Sequence, residues 1–111
     1  MSAIHVPRIL DAESVDETTS TVLGASIVGQ RVEGVLYTTF SPGCTAGVVK
    51  HETAPYEGYT GTWANLDTVT FATANTTHRT NFTGVHGALR SRISTAIEDG
   101  TVTVDFLGTT Y

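Results

Sequence analysis

The run LRSRISTAIEDGTVTVDFLG, residues 89–108, decides the fold class. In its second half Val102, Val104 and Phe106 alternate with Thr101, Thr103 and Asp105, the period-two pattern of a strand with one apolar face. In its first half Leu89, Ser91, Ile93, Thr95 and Ile97 share one parity, and Arg90, Arg92 and Ser94 share the other. A helix competes there, because Leu89, Ile93 and Ile97 are also spaced i, i+4, i+8. The Ser/Thr/Ile content and the flanking Gly87 favour a strand. Glu98-Asp99-Gly100 separates the two halves, and Asp-Gly between β-rich runs predicts a tight type I′ hairpin, whose two central residues need positive φ.

Working outward, the same texture extends over most of the chain. Among 111 residues there are 21 Thr and 12 Val against 1 Met and 1 Lys, a balance that favours strands over helices. Candidate strands run over 22–28, 32–40, 46–52 and 66–73, broken by Gly29-Gln30, by Ser41-Pro42-Gly43 and by the Pro55, Gly58 and Gly61 loop. Residues 74–81 read as a connection or an edge strand, with Val85 to Ile97 and Thr101 to Leu107 as the closing pair. No segment offers a crossover helix. The expected fold is all-β: an antiparallel β-sandwich, jelly-roll-like, of about seven or eight strands. A chain of this length buries roughly two thirds of its unfolded surface, enough for one core. Residues 19–111 therefore read as a single domain.

Residues 1–18 stand apart. Asp11, Glu13, Asp16 and Glu17 form an acidic window, preceded by the apolar residues Ile4, Val6, Ile9 and Leu10 around Pro7, which has no N–H for a sheet ladder. This is an edge segment of the domain or an arm that docks on a neighbouring subunit.

Charge and cysteine usage remove several classes of function. The net charge is −5 and the few Arg residues are dispersed, whereas a general nucleic-acid binder needs clustered Lys and Arg. With Cys44 as the single cysteine, no intrachain disulfide forms. The first residues carry no basic region followed by an apolar run, and no stretch approaches the roughly 18 apolar residues of a membrane span. The expectation is a protein made and kept in the cytosol, or packaged from it.

The search for chemistry yields little. His5, His51, His78 and His86 fall in no metal-ligand spacing, so neither a metal nor another cofactor is expected. His51 and Glu52 could serve Cys44 as base partners, but the Ser-Pro-Gly-Cys turn supplies no third orienting group. Glu98 and Asp99 read as turn residues, while Glu52 and Glu57 flank a loop, so no glycosidase-type carboxylate pair is legible. The chain reads as non-enzymatic. Tyr56, Tyr59 and Trp63 offer a different possibility, an exposed aromatic surface on which sugars stack. Against it, Trp63 just before a strand suits a core or an interface.

The second half also carries a resemblance. A glycine before an extended "xVxxE" strand at Gly47–Glu52, "TWxxLxTVT" at Thr62–Thr70, "GxxGxxRxRI" at Gly84–Ile93 and "GTVTVxxxG" at Gly100–Gly108 resemble small β-sandwich virion proteins of tailed bacteriophages. The resemblance spans residues 45–108 and implies a head-decoration, or cement, role. It implies a homotrimer on the outer surface of the capsid, bound to the major capsid protein and bridging its neighbouring subunits, with no nucleic acid or membrane partner. Ile4, Val6, Ile9 and Leu10 then become the candidate capsid or subunit contact. Placement in the tail or head-to-tail connector, or a carbohydrate- or receptor-binding module, are the alternatives.

Overall fold

The computed structural model describes residues 3–5, 8–13, 22–23, 31–56, 58–73, 76–85 and 88–110. They form an all-β, sandwich-like structure of two antiparallel sheets, with no helix among the described residues. Six strands have seven residues or more: β4 (Arg31–Phe40), β5 (Ala46–Ala54), β6 (Ala64–Thr70), β7 (Thr77–Val85), β8 (Ala88–Glu98) and β9 (Val102–Thr110). Three are shorter: β1 (Ala3–His5), β2 (Arg8–Glu13) and β3 (Val22–Leu23).

In the first sheet β1 and β2 lie one after the other along β9, followed by β4 and β7. In the second the order is β3-β8-β5-β6. The period-two pattern explains why the sheets face each other. Leu36 and Phe40 of β4, Phe82 of β7, and Val102, Val104 and Phe106 of β9 all point inward from the first sheet. They meet Val49 of β5, Val69 of β6, and Leu89, Ile93 and Ile97 of β8. Each fully buried Phe, Leu or Ile of this set stabilises the fold by about 1.5–3 kcal/mol relative to exposure. The strand reading of residues 89–97 therefore holds, with Leu89 and Ile93 on one face and in register with β5 at Thr53 and Val49. Two register shifts between Ala46 and Val49 carry the extra length of β8 and bring Ile97 back to the core.

The tight hairpin predicted at Asp99-Gly100 does not form. β8 and β9 belong to different sheets, so the connection is a corner that crosses from one layer to the other. Asp99 does adopt positive φ, 59°, but Gly100 is not among the positive-φ residues that a type I′ turn requires. Contacts with a distant turn set the path. Ser41 N–H donates to Thr101 O at 2.9 Å, Thr101 N–H to Ser41 Oγ at 2.9 Å, and Thr45 N–H to Glu98 O at 3.0 Å. Thr45 Oγ1 also donates to Asp99 Oδ2 at 2.7 Å. Glycine is needed at 100 because the Cys44 backbone approaches so closely that a Cβ would meet its N and Cα at 3.1 Å.

Candidate functional site

Three polar clusters are built on this frame, one between the sheets and one on each outer face. The interior cluster follows from strand parity. Thr38 sits between Leu36 and Phe40 on the inward face of β4, His51 two residues from Val49 on β5, and Ser91 between Leu89 and Ile93 on β8. All three are completely buried. His51 Nε2 hydrogen-bonds with Thr38 Oγ1 at 2.9 Å, across the sheets, and Nδ1 with Ser91 Oγ at 2.7 Å, within its own sheet. A neutral ring satisfies both, one nitrogen donating its N–H and the other accepting from a hydroxyl. Burial drives the ring towards that neutral form, lowering its pKa from 6.5 to about 4. Asp67 opposes the shift and His78 adds to it.

Asp67 continues the polar seam to the open side of the fold. It stands opposite His51 in the β5–β6 register, just after a shift that leaves Leu66 as an extra residue on β6. Its Oδ2 accepts from Thr80 Oγ1 at 2.6 Å and lies 3.2 Å from His78 Nε2, both on β7 of the other sheet. Burial alone would raise the Asp67 carboxyl, but the hydrogen bonds from Thr80 and His78 outweigh it and hold the pKa below the usual value. Among the described residues every buried side-chain nitrogen or oxygen has a partner.

Ser91 beside His51 has the composition of a nucleophile and its base, yet neither exposes any surface. A nucleophile has to reach substrate. Both ring nitrogens are already taken, which leaves none for Cys44, whose thiol instead points to Ala46 O at 3.6 Å. The chemistry of this cluster is cohesion between the sheets. Among the described residues, no group of three or more His, Cys, Asp or Glu side chains gathers as metal ligands.

The second cluster covers the outer face of the β3-β8-β5-β6 sheet. Glu52 on β5 accepts from Arg90 Nε at 2.8 Å and from Arg92 Nε at 3.2 Å, both on β8. Burial pushes the Glu52 carboxyl up, but these two arginines pull it further down, so its pKa lies below the ordinary value. The Arg90 guanidinium in turn lies 4.2 Å from the centre of the Trp63 ring. Trp63 packs on Ala54 and Ala88 and donates its indole N–H to Tyr59 O at 3.1 Å. The loop before β6 is thereby folded down onto the sheet. This corrects the expected aromatic surface. Trp63 is only 9% exposed and one of its faces is covered by Arg90, so it offers no platform for a sugar ring. Tyr59 is partly buried against it, and Tyr56, 56% exposed, stands edge-on to Tyr59.

The third cluster is an open groove of about 360 Å³ on the outer face of the first sheet. Two cross-strand rows form its floor and walls: Asn81, Val35 and Leu107 in one, Thr83, Glu33 and Thr109 in the other. Arg79 closes one end. Leu107 is 42% exposed, large for an aliphatic side chain at mid-strand. Beneath the groove Gly34 pairs with Gly108, and the missing side chains leave room for the Phe82 and Phe106 rings, 5.7 Å apart. A Cβ on Gly34 would stand 2.9 Å from Phe106 Cε2. An acid, a base, an amide and two aliphatic groups thus share one shallow surface, a composition suited to docking another protein.

Of the proposed N-terminal contact residues, Ile4 and Leu10 are paired through their backbone with Thr109 and Val104 of β9 in the same chain. The side chains of Ile4, Ile9 and Leu10, and the whole of Val6, lie outside the described residues. The interior cluster was missed at the sequence level, although polar residues at apolar parity (Thr38, His51, Ser91) were its visible signal. No protein-family model, no curated protein and no solved structure matches this chain.

Proposed function

We propose that this chain is a non-enzymatic virion component, a decoration protein that binds the outer surface of an assembled bacteriophage head and bridges neighbouring major capsid protein subunits. The observation that carries this reading is the strand order. With β2-β9-β4-β7 facing β3-β8-β5-β6, each successive long strand crosses to the other sheet except for the β5–β6 pair. That interleaving supports a jelly roll, an architecture shared by viral capsid and lectin domains. The resemblance of residues 45–108 to phage virion proteins selects between those two uses.

The shape of the molecule fits the role. Among the described residues every buried side-chain nitrogen or oxygen has a partner, with Thr38 and His51 bonded across the sheets, while the first sheet turns a mixed apolar and charged face outward. We assign the groove around Val35, Arg79 and Leu107 as the capsid-facing surface. Binding the assembled lattice and not its separated subunits stabilises that lattice by mass action, and many copies make weak contacts act together. A homotrimer at a local threefold axis suits such a lattice.

The test is co-sedimentation of the purified chain with undecorated heads, followed by copy counting. Saturable binding at a copy number proportional to that of the major capsid protein is expected. Leu107→Asp should abolish it without unfolding the chain. A folded chain that leaves heads bare would refute the proposal, and a handful of copies at one vertex would move it to the connector or tail. The lectin-like reading is favoured by the exposed Tyr56, and predicts a glycan-dependent thermal shift that Tyr56→Ala removes.

A further inference from the structure

The two sheets have four edges among the described residues, and they are not alike. A free strand edge is a template for pairing with another chain, and proteins blunt such edges by shortness, bulges, proline or charge. The edge at β3 is two residues long. At β6 the edge is bulged at Leu66 and carries the inward-facing Asp67. The edge formed by β1 and β2 is divided between two short strands, and β2 has two register shifts against β9. Among the described residues strand β7 is neither short nor bulged, and its one fixed charge is Arg79. Its nine residues pair with β4 in unbroken register from Arg31–Val85 to Thr39–Thr77, without proline or lysine.

We propose that β7 is a pairing edge for a second copy of this chain, joined antiparallel about a two-fold axis at Asn81. The sequence of β7 complements itself about that point. Asn81 is the central residue of the nine and meets its own copy, and an amide is both donor and acceptor, so two of them can hydrogen-bond. Arg79 falls opposite Thr83, so no like charges stand face to face. Charge permits the contact. The chain carries −5 overall, but β7 contains no acidic residue, so no carboxylate of one β7 faces a carboxylate of the other. Pairing extends the first sheet across both subunits. Because Arg79 and Asn81 also line the groove, the two grooves merge into one surface. This contact concerns the free chain in solution and goes beyond the proposed capsid role.

Sedimentation equilibrium from micromolar to millimolar concentration tests it. The wild type should approach twice the 11.8 kDa of the chain. Asn81→Lys sets two ammonium groups against each other and should raise the dissociation constant roughly fivefold or more, less at high salt. Thr68→Lys, on the bulged β6 edge, should leave pairing intact. In parallel, amide exchange across Thr77–Val85 should slow as wild-type concentration rises, a readout independent of any variant's folding. A wild type that stays monomeric throughout, a larger assembly indifferent to Asn81→Lys, or β7 exchange that ignores concentration would each overturn the proposal. A monomer that still coats heads would sink this contact and leave the capsid role standing.

Discussion

Lowering the pH from 7 to 4.5 should destabilise this protein through one residue, His51. In the folded chain its pKa is about 4, against 6.5 for the ordinary side chain. Between those values the unfolded chain binds a proton that the folded chain does not, so stability falls as pH falls through the window. At about 1.36 kcal/mol per pH unit, the full loss from His51 is roughly 3 kcal/mol. No discount for solvent applies, because the side chain exposes no surface. Below about pH 4 both states are protonated and this contribution levels off. Glu52 and Asp67, whose carboxyls are held low, add their own losses mainly below the window, as they are protonated. The assay is urea unfolding at half-unit pH steps, comparing wild type with His51→Gln. The Gln variant keeps an amide near Thr38 and removes the titration, so its stability should be lower at pH 7 yet nearly flat down to pH 4.5. A wild type with no slope across this window, or a variant with the same slope, would refute the assignment of a buried neutral His51.

The other clusters give sharper local tests. Glu52→Gln keeps an acceptor for Arg90 but removes the charge between two arginines. It should cost roughly 2 kcal/mol in chemical denaturation at pH 7, and the difference from wild type should shrink as the pH falls below about 4 and Glu52 is itself protonated. Trp63→Ala empties the space over Ala54 and Ala88 and should cost about 3 kcal/mol while exposing the loop at 55–63 to protease. Tyr56→Ala on the same loop should change stability by less than about 0.5 kcal/mol. Gly47→Ala should destabilise by about 2–3 kcal/mol, measured by thermal unfolding, because Gly47 has φ 151° and a Cβ there would collide with Ile97.

Where sequence reasoning succeeded, the information was local. The alternation of Val102, Val104 and Phe106 is a property of consecutive residues, and the structure buries all three completely. Leu36 and Phe40 on β4, and Leu89 and Ile93 on β8, follow the same rule. The corner at Asp99-Gly100 shows where it stopped. Turn chemistry says that the chain bends there; Ser41 and Thr45, more than fifty residues away, decide that it crosses to the other sheet. Trp63 was legible as an aromatic beside a loop, but the Arg90 and Ala88 that cover it come from β8.

By itself, then, the amino-acid sequence determined the all-β class and the apolar side of β4, β8 and β9, but its local pattern marks residues 74–81 as a connection or edge strand and starts the next strand at Val85, where β7 ends. The class and the apolar sides were legible because side-chain alternation and turn preference are encoded in neighbouring residues. Tertiary structure alone decided which strands share a sheet, which of the described strands lie at its edges, and that Thr38, His51 and Ser91 meet inside the core. Those outcomes depend on pairing between segments as far apart as Ala3 and Thr110, and on the shared burial that makes one pairing better than its rivals. The Asp-Gly bend was written locally, but its direction was settled by Ser41 and Thr45, whose hydrogen bonds exist only once both sheets have closed over the core.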